Sequence, residues 1–212
     1  MHVIRDGPDQ AAAVLILAHG AGADSEFMQW FSQSLAGAEL ANGLAVCRFD
    51  FPYMVTRRST GIKRPPDRAA VLIKTWHQVI SLFRQSSTQP RWLFIGGKSM
   101  GGRIASMVVE AEKVDDIVCL GYPFHPPGKP DTLRTKHLEG LNIPMLICQG
   151  ERDVFGHRAE SDSWRLSHSI QFSWLTNGDH SFKPRKKSGL TEAENRTTAY
   201  QSIVEFIAGT QR

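Results

Sequence analysis

The sequence predicts an α/β domain with a mostly parallel sheet of about six or seven strands and helices on both faces. Short apolar runs alternate with amphipathic segments along the whole chain, a pattern typical of such sheets. Most runs are continuously apolar, as expected for strands that are buried on both faces. The length of 212 residues fits one domain of ordinary size. We therefore expect a single domain over residues 1–212, with no separate cap domain.

The apolar runs mark the expected strands. They cover residues 13–18, 44–49, 92–96, 117–120, 145–148 and 172–175. Little sequence precedes the first run, so we expect the antiparallel hairpin that opens many such sheets to be reduced or absent. Residues 122–136 contain four prolines and predict an irregular excursion within the domain.

Helix signals lie between and after these strands. The first helix takes Asp24 or Ser25 as its N-cap, the second begins near Asp67, the third follows Ser99, and the last opens with a capping box at residues 191–194. The side chains expected to face inward are Phe27, Trp30, Phe31 and Leu35 in the first helix, Val71, Trp76, Val79, Ile80 and Phe83 in the second, and Tyr200, Ile203, Val204 and Ile207 in the last.

The composition argues against several classes of protein. No apolar run approaches the roughly 20 residues that span a bilayer, and the N-terminus lacks the apolar stretch of a signal peptide. We therefore expect a cytoplasmic protein with no membrane partner. Three cysteines, Cys47, Cys119 and Cys148, lie on separate apolar runs and match no zinc spacing. They predict buried, reduced thiols, and nothing in the sequence calls for a metal or a cofactor.

The segment from Gly97 to Gly101 predicts a nucleophilic serine. It reads Gly-Lys-Ser-Met-Gly and lies between an apolar strand and a helical segment, the context in which G-x-S-x-G forms a sharp turn that presents Ser99. Glycines two residues to either side avoid clashes in that turn. The following helix N-terminus favours developing negative charge, and the Met100 N–H is the first expected oxyanion donor. The alternative is a glycine-rich turn with an idle serine.

A serine nucleophile of this kind needs an acid and then a histidine, each after a later strand. Asp153 follows the fifth predicted strand, and His180 follows the sixth. Because the carboxyl ends of parallel strands meet at one edge of a sheet, both side chains are expected near Ser99. Glu151 remains an alternative acid, while Asp179 is expected to hydrogen-bond within its own loop.

The loop after the first strand is expected to complete the oxyanion hole. Its small residues allow a substrate to approach the backbone closely, and Ala21 is the expected donor of the second N–H, with Gly22 as the alternative. His19 is expected to brace this loop. Further candidates for substrate contact are Gly22, Lys98, Tyr53 and His125. Because a lysine is unusual beside a nucleophile, we also expect Lys98 to bridge to a carboxylate such as Asp50.

Five motifs together resemble a small α/β-hydrolase family. They are HGAGA at 19–23, RFDFPY at 48–53, GGKSMGGR at 96–103, YPFHPPGK at 122–129 and GERD at 150–153. The family is similar to dienelactone hydrolases and includes a testis-expressed protein and a subunit of the chromatin-associated nonspecific-lethal acetyltransferase complex. The resemblance implies a minimal α/β-hydrolase fold and a triad of Ser99, Asp153 and His180. It implies no substrate, and this chain has serine where dienelactone hydrolases have cysteine.

Basic residues cluster in two segments that leave the carboxyl ends of strands. They are Arg57, Arg58, Lys63 and Arg64 in one segment, and Lys183, Arg185, Lys186 and Lys187 in the other. These eight carry a formal charge of +8, which leaves −4 on the rest of a chain whose net charge is +4. They are either solvated loops or an electrostatic attraction for an anionic substrate or acidic partner. Nucleic acid is disfavoured because no recognition motif accompanies the charge.

These observations favour an enzyme that acts on a small-molecule acyl substrate. The expected reaction is hydrolysis of a carboxylic ester or thioester through an acyl-Ser99 intermediate. The alternative from another class is a non-catalytic interaction module that keeps the fold. The oligomeric state does not follow from the sequence.

Overall fold

The computed structural model describes residues 2–86 and 89–211. Its sheet has seven strands in the order β1-β3-β2-β4-β5-β6-β7. The strands are β1 (Val3–Asp6), β2 (Ala13–Ala18), β3 (Leu44–Phe49), β4 (Trp92–Lys98), β5 (Asp116–Leu120), β6 (Met145–Gly150) and β7 (Ile170–Leu175). Only β1 among them runs antiparallel to its neighbour, and the others pair in parallel. The predicted fold class is confirmed.

Every strand that the sequence predicts is present. Four of them extend one or two residues beyond the predicted bounds, because the backbone ladder continues past the apolar run into polar residues and glycines. The expected loss of the opening hairpin is only partial, since the single strand β1 pairs with β3 at the edge of the sheet. The buried Arg48 of β3 holds this edge through an ion pair with Asp6 at 3.0 Å.

Helices cover both faces of the sheet, as predicted. They are α1 (Gln29–Ala36), α2 (Pro52–Thr60), α3 (Ala69–Arg84), α4 (Met100–Val108) and α5 (Glu192–Thr210). One apolar cluster packs α3 and α4 on one face of the sheet, and a second packs α1 and α5 on the other face. Trp76 of α3 is fully buried against Phe49 of β3, with 5.0 Å between ring centroids.

Helix α2 is the main element that the sequence reading missed. Pro52 is favourable in its first turn, and Gly61 ends it in the left-handed conformation with φ +71°. Arg57 and Arg58 therefore lie on a helix and not in a loop.

The inward face predicted for the first helix is partly wrong. A 3₁₀ turn at Ser25–Met28 precedes α1, capped by the Asp24 side chain. Its tighter repeat turns Met28 inward and leaves Phe27 and Trp30 61% and 49% exposed. Phe31 and Leu35 are buried, as predicted. Val71 of α3 is likewise exposed, while Tyr200 and Val204 of α5 are only partly buried.

The three cysteines are free and buried, as predicted. None of the described helices is long and apolar enough to cross a membrane. The proline-rich segment at residues 122–136 forms no strand or α-helix, in agreement with the sequence reading.

Candidate active site

Ser99 lies on a strained turn between β4 and α4. Its φ of 51° and ψ of −114° are uncommon for a residue with a Cβ. The flanking glycines follow from the close packing of this turn on the end of β2. A Cβ at Gly97 would lie 2.2 Å from the Ala18 carbonyl oxygen, and one at Gly101 would lie 2.4 Å from the same atom. Only glycine fits at both positions, which explains the G-x-S-x-G pattern.

The Ser99 backbone is anchored at both its N–H and its carbonyl. The Ser99 N–H donates to the Leu120 carbonyl of β5 at 2.9 Å, and the Ser99 carbonyl accepts from the Arg103 N–H at 3.0 Å. Met100 is the first residue of α4, so its N–H is one of those that a helix leaves without an internal partner. The turn thus combines a half-buried hydroxyl with a backbone donor beside it.

Asp153 and His180 are brought together as the sequence predicts. The Asp153 Oδ2 lies 2.7 Å from the His180 Nδ1. Asp153 is fully buried, and its carboxylate also accepts from the Gln149 side chain at 3.0 Å and from the Phe155 N–H at 2.9 Å. With Nδ1–H directed at a carboxylate, the network assigns the Nε2 of His180 as the free acceptor.

Glu151, the alternative acid, makes other contacts. It accepts from the Asn177 N–H at 2.9 Å and pairs with Arg158 at 2.6 Å. The Asn177 hydrogen bond is the main reason that its pKa lies below the usual value. Asp179 accepts from the N–H groups of Ser181 and Lys183, so it hydrogen-bonds within its loop as expected.

The serine turn and the histidine ring meet at the end of β5. Gly121, next to the Leu120 that binds the Ser99 N–H, has φ +69°, and a Cβ there would lie 3.3 Å from the His180 ring. Among the described residues, no hydrogen bond joins the Ser99 hydroxyl to His180. Such bonds often tighten only when substrate binds.

The first loop packs against the nucleophile turn. A Cβ at Gly20 would lie 3.6 Å from the Ser99 Cβ. His19 is fully buried, accepts from the Phe51 N–H through Nε2 and donates to the Gly20 carbonyl through Nδ1. Burial lowers its pKa, so it stays neutral and braces the loop. The next two residues, Ala21 and Gly22, are exposed on this loop.

Two substrate-contact candidates are engaged in the protein interior. Tyr53 is only 2% exposed and packs beside the His19 ring, and burial raises its pKa. Both ring nitrogens of His125 have protein partners, the Glu160 carboxylate at 2.9 Å and the Pro126 carbonyl at 2.8 Å. These residues support loops in this structure, and direct contact of either one with substrate stays a prediction.

The predicted bridge from Lys98 to Asp50 is wrong. The Lys98 Nζ instead donates to the His180 carbonyl at 2.5 Å. Asp50 pairs with Arg58 at 2.9 Å and accepts from the Ser25 N–H. The reason is that Lys98 projects on the α1 and α5 face of the sheet, whereas Asp50 is held by α2 and the 3₁₀ turn.

The sequence reading also missed two supporting residues. Gln149 at the end of β6 binds both the Asp153 carboxylate and the Tyr122 backbone, which fixes the acid against the neighbouring strand. Gly121 leaves the space that the Lys98 ammonium and the His180 ring occupy. A buried amide at the end of an apolar strand and a glycine directly after a strand were the available signals.

Comparison with known proteins agrees with this architecture. A family model described as "Alpha/beta hydrolase domain" matches residues 11–208. An alpha-beta serine hydrolase homologue from Coxiella burnetii is similar in structure, with a TM-score of 0.69 and 17% identity over 94% of this chain and 90% of that chain. A monoacylglycerol lipase from Paleococcus ferrophilus gives a TM-score of 0.68 and 14% identity over 99% and 98%. Dienelactone hydrolase from Anabaena variabilis gives a TM-score of 0.63 and 19% identity over 96% of this chain and 87% of that chain.

The strain at Ser99 predicts a gain in stability when it is relieved. We expect Ser99→Gly to raise the free energy of unfolding by about 1 kcal/mol, because glycine adopts this backbone conformation without steric cost. Urea unfolding would measure the change. Ser99→Ala is the matched control, since it removes the same hydroxyl but retains the Cβ. A Ser99→Gly variant less stable than Ser99→Ala by about 0.5–1 kcal/mol, the entropic cost of glycine, would show that the turn is not strained.

Proposed function

Because the chain belongs to the alpha/beta hydrolase domain family, we propose that it is a serine hydrolase that cleaves a small carboxylic ester or thioester. The observation that carries the proposal is the hydrogen bond between the buried Asp153 and His180, at the same strand ends as the strained Ser99 turn. Hydrolase, esterase and lipase structures share the fold. We further propose that the chain acts as one domain without a cap, so that loops at the strand ends select the substrate.

The proposed reaction begins when Ser99 Oγ attacks the acyl carbonyl while the His180 Nε2 takes its proton. The carbonyl oxygen becomes an oxyanion that accepts from the N–H groups of Met100 and Ala21. As the bond to the leaving group breaks, His180 donates its proton to that group, which leaves an acyl-Ser99 ester. Water then attacks this ester with His180 as base, and the carboxylic acid and free Ser99 are released. Asp153 orients the ring and stabilises the imidazolium.

A non-catalytic module is the rival proposal, and it derives from the narrower resemblance to a group with a chromatin-complex subunit. Two features favour catalysis. A left-handed serine is destabilising by about 1–3 kcal/mol, and a buried carboxylate needs partners to offset its desolvation. A scaffold has no physical need to keep both of these features together, whereas a serine hydrolase needs both.

The distribution of charge supports an anionic substrate. Among the described residues of the two basic segments, only Arg58 forms ion pairs, which it makes with the carboxylates of Asp50 and Glu26. Arg57 donates instead to the Gly22 carbonyl at 3.3 Å, which places a guanidinium without an acid partner beside the proposed oxyanion loop. Lys183 lies three residues after His180. Cations on both sides of the site would raise the local concentration of an anionic ester.

The triad assignment predicts a strong effect of changing the acid. Asp153→Asn should lower kcat by about 10⁴-fold, because an amide cannot stabilise the imidazolium or hold the required tautomer of His180. Hydrolysis of a panel of activated acyl esters and thioesters would measure it. Glu151→Gln is the matched control, and we expect it to change kcat by less than about tenfold. The reverse order of effects would make Glu151 the acid.

The charge distribution predicts a dependence on salt. Raising the ionic strength from about 10 mM to 0.5 M should lower kcat/KM for an anionic ester several-fold, because salt screens exposed charges beyond a Debye length of about 10 Å at 0.1 M. A neutral ester of the same shape is the control and should respond little. An anionic ester that ignores salt would show that the basic segments are solvated surface groups with no effect on substrate binding.

A further inference from the structure

A small cavity lies beside the proposed triad, between the start of α1 and the loop that carries His180. Its volume is about 100 Å³. Its walls are largely aromatic, with Phe27, Trp30 and Phe31 on one side and Phe182 on the other. Phe27 and Trp30 are the exposed side chains that the helix pattern wrongly placed inside. We call this space the aromatic cavity.

The inner wall of the aromatic cavity is built from direct neighbours of the triad. Lys98 precedes Ser99, and the Leu120 carbonyl accepts the Ser99 N–H at 2.9 Å. Ser181 and Phe182 directly follow His180. The cavity therefore adjoins the segments that carry Ser99 and His180, although neither of these two side chains is part of its lining.

Lys98 supplies a buried cation to the aromatic cavity. Its side chain is only 8% exposed, and its Nζ donates to the His180 carbonyl at 2.5 Å. An ammonium has three N–H donors, and this carbonyl takes one. No carboxylate of the described residues forms an ion pair with Lys98. The Phe182 ring, 5.2 Å from Nζ, gives only partial compensation.

A buried cation without a counterion is costly, and a ligand oxygen would offset that cost. Burial lowers the pKa of Lys98 to about 8, while the carboxylates of Asp153 and Asp179 act in the opposite direction. The ammonium is therefore still mostly protonated at neutral pH. It is a donor held inside an apolar space next to the reacting groups.

We propose that the aromatic cavity binds the acyl group of the substrate and that Lys98 binds a carboxylate at the far end of that group. This inference rests on the proposed function and narrows it to half-esters or half-thioesters of short dicarboxylic acids. A cavity of roughly 150 Å³ holds a benzene molecule, so the aromatic cavity limits the acyl chain to a few carbons. The carbonyl of His180 leaves two N–H donors on Lys98 for the carboxylate.

The test compares two aryl esters of equal chain length, one ending in a carboxylate and one in a methyl group. The readout is the ratio of their kcat/KM values in the parent, Lys98→Met and Lys74→Met. We expect the parent to prefer the anionic ester. In Lys98→Met the ratio of kcat/KM values should fall by about 10- to 100-fold, which corresponds to the loss of one charge-assisted hydrogen bond. Lys74→Met removes the same charge from the exposed surface of α3 and should keep the ratio. Lys98→Arg should retain part of it.

A second measurement needs no turnover. Calorimetry would follow binding of the free short dicarboxylate to Ser99→Ala and to Ser99→Ala with Lys98→Met. We expect at least about tenfold weaker binding in the double variant. In Ser99→Ala alone, binding should weaken as the pH rises through about 8, where Lys98 loses its proton. The pH dependence in Ser99→Ala tests the proposal even if variants with Lys98→Met do not fold. The other groups facing Lys98 are Asp153, Asp179, Cys119, Arg196 and His180.

The outcomes separate the two proposals. Equal losses on both esters in Lys98→Met, with unchanged dicarboxylate binding, would make Lys98 only an anchor for the His180 loop and overturn this inference. Hydrolysis of the neutral ester would then still support the serine hydrolase. Dicarboxylate binding that depends on Lys98 without hydrolysis of either ester would overturn the proposed function and keep the site.

Discussion

The candidate site depends on the steric fit between the nucleophile turn and the end of β2. Both glycines of the turn face one atom, the Ala18 carbonyl oxygen, at distances that exclude a Cβ. This contact forces the chain to leave β4 sharply, so Ser99 takes a left-handed conformation and α4 begins directly behind it. The same strand end leads into the loop of Gly20, which packs on Ser99. One close backbone contact thus positions the serine hydroxyl, the helix N-terminus and the first loop together.

A second set of constraints fixes the charges around that turn. Gln149 and the Phe155 N–H hold the Asp153 carboxylate, which lies 2.7 Å from the His180 Nδ1. Lys98 binds the His180 carbonyl from the face of the sheet that α1 and α5 cover. The histidine is therefore restrained at its ring by an anion and at its carbonyl by a cation. A pair of restraints of this kind limits both the rotation of the ring and the movement of its loop.

The strand pattern, the strand-end positions and the chain order of the candidate triad could be read from the sequence, because each depends on local pattern and on the geometry of parallel sheets. The roles of Ser99, Asp153 and His180 remain predictions. Side-chain partners outside that triad do not follow from the sequence: the expected partner of Lys98 is Asp50, but the lysine binds the His180 carbonyl. The contacts of Tyr53 and His125 depend on packing between distant segments. Helix α2 has a weak local signal at its start, because its N-cap residue Phe51 makes no side-chain capping hydrogen bond.

Labelling by a fluorophosphonate probe tests the central claim, that Ser99 is an activated nucleophile, most directly. The probe reacts with a serine only when a base removes its proton and oxyanion donors stabilise the adduct. We expect the parent protein to be labelled and Ser99→Ala and His180→Ala not to be labelled, with circular dichroism showing that all three are folded. A folded parent that resists the probe, or labelling that persists in Ser99→Ala, would contradict it.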